Sequence, residues 1–169
     1  MEWIDIYDEN RVFTGRVRKR GSARKPGEYG LVVCVWVYDG HGHLLLTRRA
    51  KGKSFAGTWE NSGGAAQAGE DSLTAIVREL REETGICADP ERFEYLDTAR
   101  DHCNFYDHYC LCHSIPIEEV QLLPGETDDA MWVTFEQMHE LIEKRKVCTV
   151  IAQQFLQAES ALRQRQNAQ

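Results

Sequence analysis

Leu31 to Val37 reads Leu-Val-Val-Cys-Val-Trp-Val, an unbroken apolar and β-branched run that predicts a strand buried on both faces. Asp39-Gly40-His41-Gly42 signals a turn, and Leu44 to Thr47 predicts the returning strand. From Ala50 to Gly69 the chain is rich in glycine, alanine and serine and reads as a loop. Helical spacing returns from Asp71 to Thr84, where Leu73, Ile76, Val77 and Leu80 form one apolar stripe and Gly85 supplies the stop. Arg92 to Ala99 and Asn104 to Ile115 are strand candidates. Met131-Trp132-Val133 reads as a short strand before a helix from Phe135 to about Lys146, and a last amphipathic helix covers about Thr149 to Arg163. Residues 1 to 29 are mixed and polar, and their basic stretch Arg16 to Arg20 reads as part of a solvated lead-in strand and loop. Strands interrupted by helices predict the α/β class, an α/β/α sandwich around a mixed β-sheet.

Length and charge narrow the class. The 169 residues suffice for one domain, 1–169, and are too few for two comfortable ones. The longest apolar run, Leu31 to Tyr38, has strand length, so no membrane span is expected. The first residues lack a basic region followed by an apolar block, so no signal peptide is expected. Twenty basic against 27 acidic residues give a net charge of −7, which argues against a binder of nucleic-acid polymers. Six cysteines in such a chain suggest reduced thiols and a cytoplasmic setting.

The candidate chemistry lies on the predicted helix. Glu79, Glu82 and Glu83 stand at i, i+3 and i+4, so Glu82 falls about 60° behind Glu79 and Glu83 about 40° ahead. The apolar stripe is centred roughly 120° away, and the helix therefore buries one face and presents carboxylates on another. Clustered carboxylates repel, and a hard divalent cation with oxygen ligands, Mg²⁺ or Mn²⁺, relieves that repulsion.

The stretch from Gly64 to Ile86 has the spacing of the Nudix box, Gly-x5-Glu-x7-Arg-Glu-U-x-Glu-Glu-x-Gly-U, where U is a bulky aliphatic residue. Gly64, Glu70, Arg78, Glu79, Leu80, Glu82, Glu83, Gly85 and Ile86 occupy its fixed positions, and the chain resembles the Nudix hydrolase family. The order of flanking elements extends the likeness over about residues 28 to 160. The resemblance implies the Nudix fold and metal-dependent cleavage of a phosphoanhydride bond. The substrate would be a small molecule, a nucleoside di- or triphosphate or a nucleoside-diphosphate-linked compound. It implies Mg²⁺, with Mn²⁺ as the alternative, held by Glu79, Glu82, Glu83 and the carbonyl of Gly63. It implies that Arg78 orients a neighbouring glutamate and that Glu70 orients the ligands or holds the loop. Many family members take a base or a further ligand from the loop before the last short strand, which makes Glu126 the first candidate there, ahead of Asp128 and Asp129. Glu79, Arg78 and Glu126 are thus the expected catalytic set. A homodimer is left open.

Leu44 to Ala50, Lys53 and Gly57 to Ser62 resemble isopentenyl-diphosphate isomerase, a Nudix-fold relative, as does Asp5 to Asn10. The isomerase needs a cysteine just after the Trp-x-Asn-Ser segment, where this chain has Gly63 and Gly64. Its histidine ligands are also missing: Tyr29-Gly30-Leu31 and Ala65-Ala66 stand in those places. The expected chemistry is therefore hydrolysis in an isomerase-like branch, with a non-catalytic ligand sensor as the third reading. Arg48, Arg49, Lys51 and Lys53 offer a basic patch, with Arg48, Arg49, Lys53 and Trp59 as the substrate-binding candidates. Adjacent strand residues alternate, so Arg48 and Arg49 cannot both face the site. Phe55, Trp59 and Tyr106 read mainly as core aromatics. The cysteines and histidines of 102–113 lack a Cys-x-x-Cys pair and read as a thiol-rich strand. No further motif selects the substrate: the coenzyme A signature is absent, and His102 stands where ADP-ribose pyrophosphatases carry a proline.

Overall fold

The computed structural model describes residues 2–166. Strands β1 (Trp3–Tyr7) and β2 (Phe13–Lys19) pair antiparallel in a ribbon of their own. Ile4 and Ile6 point inward and are fully buried. The lead-in is a hairpin whose first strand gains a buried face from two alternating isoleucines, while the basic stretch in β2 stays mostly exposed, as expected. Its inner end is tied to the segment before the acidic helix: the Ala68 N–H donates to the Trp3 carbonyl at 2.8 Å, and the Gly69 N–H to Asp5 Oδ2 at 2.9 Å.

The main sheet holds β3 (Gly30–Tyr38), β4 (His43–Arg49), β5 (Trp59–Glu60), β6 (Ser62–Ala65), β7 (Glu94–Arg100), β8 (Asn104–Cys112) and β9 (Thr127–Thr134). Its order is β5-β4-β3-β8-β7, with β6 added against β3 and β9 against β4. The β3–β8 pair is parallel and the others are antiparallel, so the sheet is mixed as expected. Helix α1 (Ser72–Thr84) covers one face, where Leu31, Val33, Val35 and Val37 meet Ile76 and Leu80. Helices α2 (Phe135–Glu143) and α3 (Thr149–Gln166) cover the other, where Trp36 and Tyr38 meet Met138, Phe155 and Leu162. Both faces of β3 are covered, which accounts for its continuous apolar run. Each fully buried aliphatic side chain, such as Ile76 or Leu80, contributes about 1.5–3 kcal/mol.

Local chemistry sets the ends of α1. Asp71 caps its start by accepting the Thr74 N–H at 2.7 Å, and Gly85 ends it at φ 73°, a left-handed conformation that favours glycine.

Some expected boundaries move. The segment expected as a loop from Ala50 to Gly69 contains β5 and β6, which carry no apolar periodicity. Strand β5 pairs with β4, and β6 forms against β3 because its glycines allow close approach: a Cβ on Gly63 would stand 2.3 Å from the Val33 carbonyl oxygen. Strand β9 begins at Thr127 rather than Met131, since its first residues pair with Arg49 and Arg48 of β4. Strand β8 ends at Cys112 rather than Ile115. Helix α2 ends at Glu143 rather than near Lys146, because Arg145 turns the backbone to φ 55°. Among the described residues no helix is long and apolar enough to cross a membrane.

Candidate active site

Arg78 organises the acidic face of α1. Its Nε and Nη2 donate to the two oxygens of Glu70 at 2.7 and 2.8 Å, a bidentate pair that ties the loop to the helix. Its Nη1 donates to Glu79 Oε1 at 2.9 Å and to Glu82 Oε2 at 3.2 Å, and Nη2 also reaches the Ala65 carbonyl at 3.3 Å. The Arg78 hydrogen bonds hold the Glu70 carboxyl below its ordinary range, and the Gln67 N–H adds to that effect. The guanidinium itself is held well above its usual range by the same partners, led by Glu70.

Glu79 and Glu83 differ from Glu82 in burial. Glu79 is 8% exposed, and Glu82 is exposed. Burial raises the Glu79 pKa against the opposing pull of Arg78. The carboxylate lies directly under Gly64, where an added Cβ would be 2.4 Å from it. A side chain at that position would have to push the Glu79 carboxylate off its Arg78 partner, which gives this glycine of the motif a positioning reason. Glu83, partly buried, accepts the Gly63 N–H at 3.2 Å. Burial, with the Glu60 and Glu79 carboxylates nearby, pushes its pKa up to about 8.

The structure thus brings together Gly63, Arg78, Glu79, Glu82 and Glu83, and adds Glu60 and Arg20. Glu60 accepts from Arg49 Nη1 at 2.8 and 2.7 Å, yet burial still raises its pKa. Arg20, at the end of the hairpin, pairs with Glu2 at 2.6 Å and lies within Coulombic reach of Glu79 and Glu126. Sequence reasoning missed both. Glu60 sits in a two-residue strand that no alternation in the sequence announces, whereas Arg20 sits in a basic stretch read as solvated.

The expected substrate-binding side chains divide between faces. Arg49 shares the α1 side with Glu60. Arg48 takes the opposite side, bonded to Asp128 at 2.6 Å and lying 5.5 Å from the Trp59 ring centroid. The Arg48 and Trp59 candidates therefore stand behind the carboxylate face rather than on it. Lys53 forms an ion pair with Glu126, and the Glu126 carboxylate lies within Coulombic reach of Glu60 and Arg20.

The oxygen donors fit a hard divalent cation. Two carboxylates, the buried Glu79 and the partly buried Glu83, have raised pKa values beside a third acid, Glu60, and bound positive charge would relieve that strain. Among the described residues, ligand atoms that already converge within 4.8 Å belong instead to Asp101, His102 and Cys103. The Asp101 carboxylate there is taken by the amides of Cys103 and Asn104 and by the Tyr106 hydroxyl, as in an ordinary turn.

The NUDIX domain model matches residues 28–150. The chain belongs to the NUDIX domain family and is a Nudix hydrolase, a class that generally cleaves pyrophosphate bonds with a divalent metal. An uncharacterized Nudix hydrolase of Listeria monocytogenes is 32% identical over 143 residues, covering 83% of this chain and 85% of that protein. Isopentenyl-diphosphate Delta-isomerase 2 of Aromatoleum aromaticum is 28% identical over 155 residues, covering 84% and 76% respectively. The crystal structure of DR0079 from Deinococcus radiodurans superimposes with a TM-score of 0.78 at 22% identity, over 92% of this chain and 98% of that one, a likeness of fold.

Proposed function

We propose that this chain hydrolyses the phosphoanhydride bond of a nucleoside di- or triphosphate, or of a nucleoside-diphosphate-linked small molecule, with Mg²⁺ or, in its place, Mn²⁺. The observation that carries this reading is the Glu79–Glu83 pair. Two carboxylates with raised pKa values lie beside the Gly63–Gly64 backbone, and Arg78 holds one of them in place. Glu79, Glu82, Glu83 and the Gly63 carbonyl would hold the cation. When bound, it would neutralise charge on the phosphate oxygens and acidify the attacking water.

The residues of the chain divide the remaining work. Arg78 keeps Glu79 from rotating away and keeps the loop on the helix through Glu70. Glu126 is the proposed general base, and its ion pair with Lys53 supplies a cation that can exchange its carboxylate for a substrate phosphate. Arg20 with Glu2 offers a second exchangeable pair at the same mouth. Arg49 faces this side, bound to Glu60. A cytoplasmic setting is part of the proposal, supported by the buried thiols Cys34 and Cys110.

The isomerase reading is disfavoured by one contact. A side chain at Gly63 would meet the Val33 carbonyl at 2.3 Å, so the backbone leaves no room for the cysteine that chemistry needs. No interconversion of isopentenyl and dimethylallyl diphosphate is expected, and product analysis checks it. The main test is a panel of nucleoside di- and triphosphates, nucleotide sugars and dinucleotides with Mg²⁺ or Mn²⁺. Release of a nucleotide or phosphate that EDTA abolishes is the expected result. A panel inert under both metals would overturn the proposal.

A further inference from the structure

Glu60 stands on the carboxylate side of the sheet, outside the motif carried by α1, and strand register fixes its side. Thr47 of β4 lies two residues from Leu45, which packs in the core under α1, so Thr47 faces the same way, and Glu60 is its direct partner across β4 and β5. Ser62 of β6 pairs with Val35, another residue of that core, and therefore faces α1 as well. Glu60 and Ser62 are same-side neighbours on the run from β5 into β6, a spacing of roughly 7 Å in extended chain. The Ser62 hydroxyl bonds the Glu83 carboxylate, and the Gly63 N–H donates to it at 3.2 Å. Glu60 and Glu83 thus hold neighbouring places along the same segment.

The bonds that Glu60 makes leave room for more. One nitrogen, Arg49 Nη1, donates to both of its oxygens, at 2.8 and 2.7 Å. A carboxylate offers about four lone pairs, so each oxygen keeps one, and ligating carboxylates are commonly held by a further hydrogen bond of this kind. Thr47 supplies a separate sign of a missing ligand. It is 1% exposed, and its Oγ1 has no hydrogen-bond partner. A hydroxyl buried in this way costs free energy until something meets it. In its row across the sheet Glu60 stands on one side and Ala130 on the other. Ala130 has no polar side-chain atom, so the polar surroundings of the unmet hydroxyl lie on the Glu60 side.

We propose that Glu60 is a further ligand of the divalent cation, joining Glu83 from the strand side, and that Thr47 Oγ1 meets a water at that site. Carboxylate oxygens and water suit Mg²⁺ or Mn²⁺, and Mg²⁺ keeps several waters when protein carboxylates bind it. The cation itself rests on the hydrolase reading, and Glu60 and Thr47 extend its site from the helix onto the sheet.

The test uses Mn²⁺ as the probe on the full chain without substrate. Electron paramagnetic resonance counts free and bound Mn²⁺, and thermal unfolding is followed with and without the ion. Glu60→Gln and Glu60→Asp should each weaken Mn²⁺ binding about tenfold or more, because the first removes the charge and the second draws the oxygens back by one methylene. Thr47→Val removes a hydroxyl and should weaken binding about threefold. The rise in unfolding midpoint that Mn²⁺ gives should shrink in the same order. If Glu60→Gln does not fold, Glu60→Asp and Thr47→Val carry the comparison. Binding that is weak in Glu60→Gln but intact in Glu60→Asp would show that Glu60 acts through its charge alone and would overturn the proposal. Intact binding in both would overturn it too, and if Glu83→Gln then abolished binding, the cation site would stand without Glu60. Intact binding in Thr47→Val overturns the part given to the hydroxyl. A wild type that takes up no Mn²⁺ overturns the proposal, while the hydrolase reading is judged separately on the substrate panel. Glu60-dependent binding in a protein inert on that panel keeps the ligand and overturns only the hydrolase reading.

Discussion

Replacing Arg78 with Met should destabilise the protein and disable it through one cause, the release of carboxylates that this guanidinium holds. Its side chain is 16% exposed and bonds Glu70 at two oxygens, Glu79 at one and Glu82 at one. Removing one partner of a buried ion pair costs about 3–5 kcal/mol because the remaining charge is left uncompensated. Glu82 is exposed and contributes little, so Glu70 and Glu79 carry the loss. Partial solvent access brings the expected cost to roughly 2–4 kcal/mol. For a chain of this size that lowers the unfolding midpoint by about 4–16 °C.

The pH dependence identifies the cause. Stranded carboxylates can be neutralised by protonation, so the deficit of Arg78→Met should shrink as pH falls from 8 toward 5. Arg78→Lys keeps a charge but loses the bidentate fork, and it should fall between Met and wild type. Circular dichroism melts in EDTA across that pH range, with turnover measured in Mg²⁺, make the assay. A deficit under about 1 kcal/mol, or one that does not change with pH, would refute the view that Arg78 acts by holding charge.

Three further outcomes follow from the same geometry. Glu83→Gln should cut turnover about a hundredfold or more, the scale of lost transition-state charge stabilisation. Its metal-free melting point should hold or rise, because a carboxylate with a pKa of about 8 beside Glu60 and Glu79 has been removed; normal turnover with easier unfolding would contradict this. Arg20→Met should raise KM about tenfold for a diphosphate substrate with kcat little changed, whereas Arg16→Met, whose partner is Glu28, should leave KM alone. At low pH the buried Asp107 is decisive: burial would raise its pKa, but hydrogen bonds from Arg11, Ser72 and Thr98 outweigh burial and hold it low. Stability from a depressed carboxylate is present above its unfolded pKa and is lost as pH falls through the folded one. Arg11→Met should therefore move the midpoint of acid unfolding to higher pH, which a fluorescence titration reads directly.

The residues that were legible beforehand share a short range. Arg78, Glu79, Glu82 and Glu83 lie on one helix, where spacing in sequence is spacing in space, and the α1 boundaries follow from Asp71 and Gly85. The buried run of β3 and the two-sided covering of the sheet were legible for the same reason, since a strand without polar positions needs cover on both faces. Strands β5 and β6 were not, because β5 has only two residues against β4, and β6 forms through backbone fit to β3, where glycine carries no side-chain pattern that could announce it.

Arg20 and Glu60 were missed on different grounds. The relevant contact of Arg20 depends on where the β1–β2 hairpin docks, and that is set by the backbone hydrogen bonds of Ala68 and Gly69. Glu60 belongs to a two-residue strand, too short for alternation to be counted. The reaction centre was therefore readable as a pattern along one helix, whereas the contacts of Arg20 and Glu60 depend on hairpin docking and strand pairing, which no spacing along the chain encodes.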